Sequence, residues 1–353
     1  MELAIAGEVA AVSDHGGSLD RARALFPQAP LPWIDLSTGI NPHSYPLFDL
    51  PATALSRLPE PARLRNLTDL AAGVYGAPSP DNIVAAPGTQ ILLPRVAALV
   101  KPGQAAVLGP TYAEHARAAA LAGHEVGEVK DFAALYDADL AIVVNPNNPD
   151  GRVIQRGNLL DLARHLQAKG GLLVVDEAFM DVGPQAERVD GNVEEGALVV
   201  LRSFGKFFGL AGVRLGFAIA AAPITKAVEA GLGPWAVAGP ALEYGIRALG
   251  DTAWQEAMRG RLQDAAARLD ALLTEFSIPV SGGTSLFRFV RMAEAKSLFL
   301  ELGAQGIVLR NFTWDASTLR IGLPGNEDEW QRLDAALAGW VRRQKPMAAG
   351  ARA

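Results

Sequence analysis

The sequence predicts a doubly wound α/β domain joined to a smaller α+β domain, and three observations predict it. Between about Asp81 and Ala220, strand-length apolar runs alternate with helix-length segments. Those runs are apolar at nearly every position, the texture of strands covered on both faces of a mostly parallel sheet. After about Pro240 the texture changes to one long helical pattern, then to strands and helices interleaved. A chain of 353 residues fits two such domains at roughly 150 residues each, and should bury about three quarters of its unfolded surface.

Taken in order, residues 1–50 are rich in Pro and Gly and read as an extended N-terminal arm that packs with the small domain or a partner subunit. In the large domain, 51–240, NIVAAPG leads into the helix-length TQILLPRVAALV, and AAVLGP into TYAEHARAAALAG. DLAIVVNP, a helical stretch from Leu159 to Lys169, GLLVVDEAF, ALVVLRS and RLGFAIA follow. One helix is expected from about Pro240 to Ser277, because Leu262, Ala266, Leu269 and Leu273 recur at three- and four-residue spacing. Residues 241–345 comprise this linking helix and the small domain, whose strands are SLFRFV, GIVLR and TLRIGL and whose helices lie near Met292 to Leu302 and Glu327 to Val341. Residues 346–353 read as a frayed tail.

Composition removes several function classes. Lys and Arg number 32 against 38 Asp and Glu, a net charge of −6 that argues against a nucleic-acid-binding surface. There is no cysteine, so disulfides, zinc–thiolate sites, iron–sulfur clusters and a cysteine nucleophile are excluded, and no metal is expected. The opening MELAIAGEVAAV carries Glu2 and Glu8 and has no basic leader, so no signal peptide is expected. No apolar run approaches the eighteen or so residues that a membrane span needs. A cytoplasmic protein without membrane or nucleic-acid partners is the expectation.

In an open α/β sheet, ligands bind beyond the carboxyl ends of the strands, so the residues directly after each apolar run carry the interest. After NIVAAP, Gly88-Thr89-Gln90 offers backbone N–H groups, a hydroxyl and a helix start to an anion. After AAVLGP, Thr111-Tyr112 puts an aromatic ring at the sheet edge. DLAIVV ends in Asn145-Pro146-Asn147-Asn148-Pro149-Asp150-Gly151, a turn with more asparagine and proline than a turn requires. GLLVV ends in Asp176-Glu177-Ala178-Phe179, where an acid after five apolar residues needs a cationic partner. Seven lysines stand against 25 arginines, yet Lys206 sits among aromatic and small residues in Arg202-Ser203-Phe204-Gly205-Lys206-Phe207-Phe208-Gly209. That setting desolvates an amine and makes it a candidate Schiff-base former. Ser203 and Arg214, three residues before and eight after, could reach one anion together.

In this order and over nearly the whole chain, GTQ, TY, NPNNPDG, DEAF, Ser203-x-x-Lys206 with Arg214, and TLRIG resemble the fold-type I pyridoxal-phosphate enzymes of the aminotransferase superfamily. The resemblance implies pyridoxal 5′-phosphate as cofactor, with Lys206 bonded to it, Asp176 paired with its ring nitrogen, Asn148 at its 3′-oxygen and Tyr112 stacked on its ring. Gly88, Thr89, Ser203 and Arg214 would hold its phosphate, Gln90 would also be cofactor-binding, and Arg320 would take the substrate carboxylate. Lys206, Asp176 and Tyr112 are the catalytic candidates. The resemblance also implies a homodimer.

Within the superfamily the chain is similar to the histidinol-phosphate aminotransferases and to their siblings, the threonine-phosphate decarboxylases of cobalamin biosynthesis. Three features favour the decarboxylases: His15-Gly16-Gly17 followed by Asp35-Leu36-Ser37-Thr38-Gly39-Ile40-Asn41-Pro42, Phe179 where most of the aminotransferases carry Tyr, and Gly233-Pro234-Trp235-Ala236-Val237. That likeness implies decarboxylation of L-threonine O-3-phosphate to (R)-1-amino-2-propanol O-phosphate, with His15, Gly39, Ile40, Asn148, Arg310 and Arg320 at the substrate. A 2-oxoglutarate-dependent aminotransferase acting on histidinol phosphate or a related amino acid is the alternative. A non-catalytic protein on the same scaffold is a third. Two positions depart from the aminotransferase pattern: Leu58 stands where a Tyr usually follows Arg57, and Gln90 replaces an acid.

Overall fold

A computed structural model describes Val12 and residues 15–344. The residues bearing on a signal peptide and on the C-terminal tail lie outside these. The described chain divides into two compact units, one of residues 45–254 with Val12, the other of residues 15–44 and 255–344. The first strand, β1 (Ile34–Asp35), belongs to the second unit.

The larger unit is built on a seven-stranded sheet: β2 (Ile83–Ala86), β3 (Gln104–Leu108), β4 (Glu125–Val129), β5 (Leu140–Val144), β6 (Leu172–Asp176), β7 (Leu198–Ser203) and β8 (Gly216–Ala220). Their order is β2-β8-β7-β6-β5-β3-β4, parallel except that β8 runs antiparallel to both of its neighbours. Strands β2, β5, β6 and β8 are buried at every position, as expected for strands covered on both faces. Strand β4 is an addition to the sequence reading. It sits at the sheet edge with the half-exposed pattern Glu125-Val126-Gly127-Glu128-Val129, so it carries no apolar run to betray it.

The expected single helix from Pro240 to Ser277 is two helices, Gly239–Gly250 and Thr252–Glu275. Asp251 separates them: its backbone leaves the helical region at φ −94 and ψ 75, and its carboxylate accepts from the Trp254 N–H at 3.0 Å, capping the second helix. Gly239 opens the first helix, where a Cβ would collide with the Ala54 backbone.

In the smaller unit the opening residues are more than an extended arm. Ser18 Oγ caps a helix over Leu19–Leu25, and β1 pairs in parallel with β11 (Ile307–Val308). A four-stranded antiparallel sheet, in the order β12-β13-β10-β9, is formed by β9 (Val280–Thr284), β10 (Phe287–Arg291), β12 (Arg310–Asn311) and β13 (Thr318–Gly322). GIVLR therefore supplies two short strands in two sheets, broken at Leu309, rather than one. Helices Ala295–Ala304 and Glu327–Gln344 complete the unit.

A charged cluster lies buried in the larger unit where β6 and β7 end. Arg202, 1% exposed, lies 3.3 Å from Glu177, 3.7 Å from Asp181 and 3.5 Å from Asp190, with its guanidinium 4.5 Å from the Tyr75 ring centroid. Burial, and then the Asp190 charge, push the Glu177 carboxyl well above its ordinary range against the pull of Arg202. Arg202→Met leaves three buried acids without this cation, and urea melts should show a loss of about 3–5 kcal/mol. A carboxyl with a raised folded pKa favours the folded state fully below its unfolded value near 4.5 and gives that up as pH rises through the folded value. In Glu177→Gln this part of the pH dependence of stability should vanish.

Candidate active site

The antiparallel β8 brings the candidate anion-binding residues of the larger unit together. Its first residue, Gly216, lies opposite Ala86 of β2 on one side and Ser203 of β7 on the other. The Gly88-Thr89 turn after β2 and the Ser203 hydroxyl after β7 thus flank the segment that carries Arg214. Both glycines stand in close contact, and at Gly216 a backbone leaves no room for a side chain. A Cβ on Gly216 would come within 2.6 Å of the Thr89 nitrogen, and one on Gly88 within 2.6 Å of Arg214 Nη2. Gly88 also has φ +81, which glycine adopts without strain, while Arg214 itself is held at φ +57 and donates through Nη1 to the Ala211 carbonyl at 3.1 Å. Thr89 begins a single 3-10 turn, Thr89–Ile91, ahead of the helix Leu92–Ala97.

Lys206 follows in a four-residue helix, Phe204–Phe207, among the buried Phe204, Phe207 and Phe208. Its Nζ lies 5.7 Å from the centroid of the Phe179 ring. Gly205 keeps this turn tight, since a Cβ there would reach 2.7 Å from Ala211 Cα.

Asp176 ends β6 and is 6% exposed. Its Oδ1 accepts from the Ala178 N–H at 3.0 Å, and its Oδ2 lies 2.8 Å from His115 Nε2. A carboxylate only accepts, so Nε2 carries the hydrogen. His115, 1% exposed in the helix Glu114–Leu121, is a residue that sequence reasoning missed. Only its place three residues after Tyr112, at the start of the helix that follows, could have suggested it.

The asparagines of the turn after β5 divide the work. Buried Asn145 both donates to the Ile154 carbonyl and accepts from its N–H, at 3.2 and 2.8 Å. Buried Asn147 donates to the Pro110 carbonyl at 3.1 Å and to Asp150 at 2.7 Å, and accepts from Thr111 Oγ1 at 2.7 Å. The Asn147 bonds tie the loop to the segment bearing Tyr112, and Asn148, next after it, is half-buried. Tyr112 donates its hydroxyl to Gln90 Oε1 at 3.1 Å, and its ring meets His115 edge-on with centroids 5.9 Å apart. Burial, followed by the charges of Glu114 and Asp176, pushes its phenol up to about 12, so it remains a neutral donor at working pH.

The smaller unit carries its own cation pair. The register of β12 with β13 sets Arg310 directly opposite Arg320. Arg320, 6% exposed, donates through Nη2 to the Ser37 carbonyl at 2.7 Å and lies over the Phe287 ring. Burial first, and then the Arg310 charge, lower its pKa to about 9 against the pull of Asp35, which still leaves it a cation at neutral pH. Ser37 is fixed in turn by its hydroxyl, which donates to Asp35 at 2.6 Å and accepts from the Gly17 N–H at 2.8 Å. His15, Gly17, Ser37 and Arg310 line one small cleft. Gly39 is buried and Ile40 half-buried in the loop that follows.

A family model described as aminotransferase class I and II matches residues 57–337. The chain belongs to that family. It is 42% identical over 330 residues to a threonine-phosphate decarboxylase of Pseudomonas aeruginosa, covering 93% of this chain and 98% of the relative. It is 41% identical over 333 residues to a threonine-phosphate decarboxylase of Sinorhizobium sp, covering 92% and 97%. The histidinol-phosphate aminotransferase of Clostridium acetobutylicum shares the fold, with a TM-score of 0.76 at 22% identity over 88% of this chain and 99% of that one.

Enzymes of this family work with pyridoxal 5′-phosphate, and the larger unit fits that group. It presents an aromatic-lined amine, a buried carboxylate held by a histidine, and a glycine cradle against a guanidinium. Among the described residues no cluster of acids and histidines suits a metal ion, and no helix is long and apolar enough to cross a membrane. Replacing His115 with Phe removes one bond to a buried charged acid, an interaction of about 1.5–3 kcal/mol. Equilibrium dialysis of the apoprotein should show pyridoxal phosphate binding weakened by roughly tenfold or more.

Proposed function

We propose that the protein decarboxylates L-threonine O-3-phosphate, giving carbon dioxide and (R)-1-amino-2-propanol O-phosphate in cobalamin biosynthesis. The observation that carries this reading is identity above 40% to threonine-phosphate decarboxylases over more than nine tenths of the chain. Bound pyridoxal phosphate would supply the electron sink for the pair left on Cα when its bond to the carboxylate breaks.

The chain's own residues would do the rest. Lys206 would hold the cofactor and later deliver a proton to Cα, with the Phe179 ring 5.7 Å from its amine. Asp176, oriented by His115, would keep a proton on the ring nitrogen. Tyr112 would lie on the ring face and Asn148 at the 3′-oxygen. Gly88, Thr89, Ser203 and Arg214 would cradle the cofactor phosphate.

The substrate brings two anionic groups, a carboxylate and a phosphate, and the smaller unit offers two adjacent arginines. Arg320 would take the carboxylate and Arg310 the phosphate, with His15 as a further donor from the same cleft. Each anion offsets the repulsion between the two cations. Decarboxylation requires the Cα–carboxylate bond to stand perpendicular to the cofactor ring, because only the aligned bond gains resonance as it breaks. An arginine that gripped the carboxylate would restrict that angle.

A cytoplasmic location goes with this reading, since a charged phosphate ester does not cross a bilayer unaided. We also propose a homodimer. In the larger unit Leu47, Leu55, Leu58 and Trp235 are each more than half exposed, apolar side chains that a second copy would cover. Light scattering should give twice the chain mass at micromolar concentration, and a monomer would overturn this assignment.

Loaded protein incubated with L-threonine O-3-phosphate and no keto acid should release carbon dioxide over many turnovers, with aminopropanol phosphate detected by mass. Lys206→Ala should abolish release, and Arg320→Gln should lower kcat/KM by roughly a hundredfold or more, the scale of a lost charged pair. A strict need for 2-oxoglutarate would instead make the protein an aminotransferase.

A further inference from the structure

Gln90, an amide where the family resemblance implies an acid, has a place in the structure that suits an amide. Both ends of its side-chain amide are engaged. Oε1 accepts the Tyr112 hydroxyl at 3.1 Å, and Nε2 donates to Glu114 Oε2 at 2.8 Å. Glu114 is 6% exposed, and the same oxygen accepts from Arg117 Nη1 at 3.4 Å. The chain Arg117–Glu114–Gln90–Tyr112 thus runs from the helix Glu114–Leu121 back to the ring that precedes it.

An amide suits this place because it offers an acceptor on one side and donors on the other. A carboxylate at position 90 could accept from Tyr112 but would meet Glu114 as a like charge at hydrogen-bond distance. An alkyl group would serve neither neighbour. The Tyr112 phenol, kept neutral by burial, needs an acceptor that does not compete for its proton.

We propose that Gln90 is a positioning residue that acts through Tyr112: it fixes the phenol, and with it the ring plane that faces the cofactor, without itself bearing on the cofactor. This rests on the assignment of Tyr112 to the cofactor ring.

The test is a double-mutant cycle on the apoprotein, read as the dissociation constant of pyridoxal phosphate by equilibrium dialysis. Four proteins are compared: wild type, Gln90→Ala, Tyr112→Phe and the double variant. Gln90→Ala should weaken binding about five- to tenfold in the wild-type background, the scale of one hydrogen bond, and Tyr112→Phe by about the same factor. In the Tyr112→Phe background, Gln90→Ala should change binding by less than about twofold. Gln90→Glu should weaken binding more than Gln90→Ala, and adding Glu114→Gln should restore it, because the swapped pair again offers Tyr112 an acceptor without a like-charge contact. The circular dichroism of the bound cofactor should follow the same pattern.

Gln90 is exposed, so the melting temperatures of the wild-type and Gln90→Ala apoproteins should agree. Equal losses from Gln90→Ala in both backgrounds would mean that Gln90 touches the cofactor directly and would overturn the proposal. No loss in the wild-type background would overturn it as well. Wild type that does not bind pyridoxal phosphate would overturn the cofactor reading beneath it, a result visible before any variant is made.

Discussion

The constraint on which the larger unit depends is the placing of one antiparallel strand inside an otherwise parallel sheet. Strand β8 lies between β2 and β7 and enters at the end where both of them finish. A parallel strand there would begin far from those ends. Because β8 runs the other way, the turn leading into it carries Arg214 to the carboxyl ends of its neighbours, where Gly88, Thr89 and Ser203 already are. Gly216 follows from this crowding, since the Thr89 backbone occupies the space that its side chain would need, while Gly88 is required by its φ of +81.

The same end of the sheet collects charge in dry surroundings. Asp176 and Glu177 are neighbours in sequence but belong to different assemblies: Asp176 is held by His115, while Glu177 joins Asp181, Asp190 and Arg202. Each assembly fixes one strand end through a partner whose loss would strand a buried charge. Arg202 and Ser203 divide in the same way, one braced inside the cluster and the other half-buried opposite Gly216. Alternation along a strand lets adjacent residues serve structure and site at once.

Much of this was legible in the sequence, for a physical reason. Strands buried on both faces must be apolar throughout, so β2, β3, β5, β6, β7 and β8 announce themselves, and polar residues directly after them stand out against that background. What stayed hidden was whatever lacks that contrast. Strand β4 is half-exposed, β9 is the Gly-bearing Val280–Thr284, and the break at Asp251 depends on one capping carboxylate inside a continuous helical pattern. His115 lies in an alanine-rich helix that would pack well without it. The resemblance carried single residues to their motif positions. It could not reveal the partners behind them, because those come from elements that meet only in the fold.

Gln90 shows where that boundary falls. As a letter in a motif it is an unexplained departure, an amide in place of an acid. Its meaning depends on Glu114, which lies 24 residues away in sequence and 2.8 Å away in space. A buried carboxylate at 114 makes a second one at 90 costly, and an amide then becomes the residue that satisfies both Glu114 and Tyr112. The substitution is therefore one half of a pair. In this site the identity of a side chain is set as much by the charge of the group behind it as by the ligand in front.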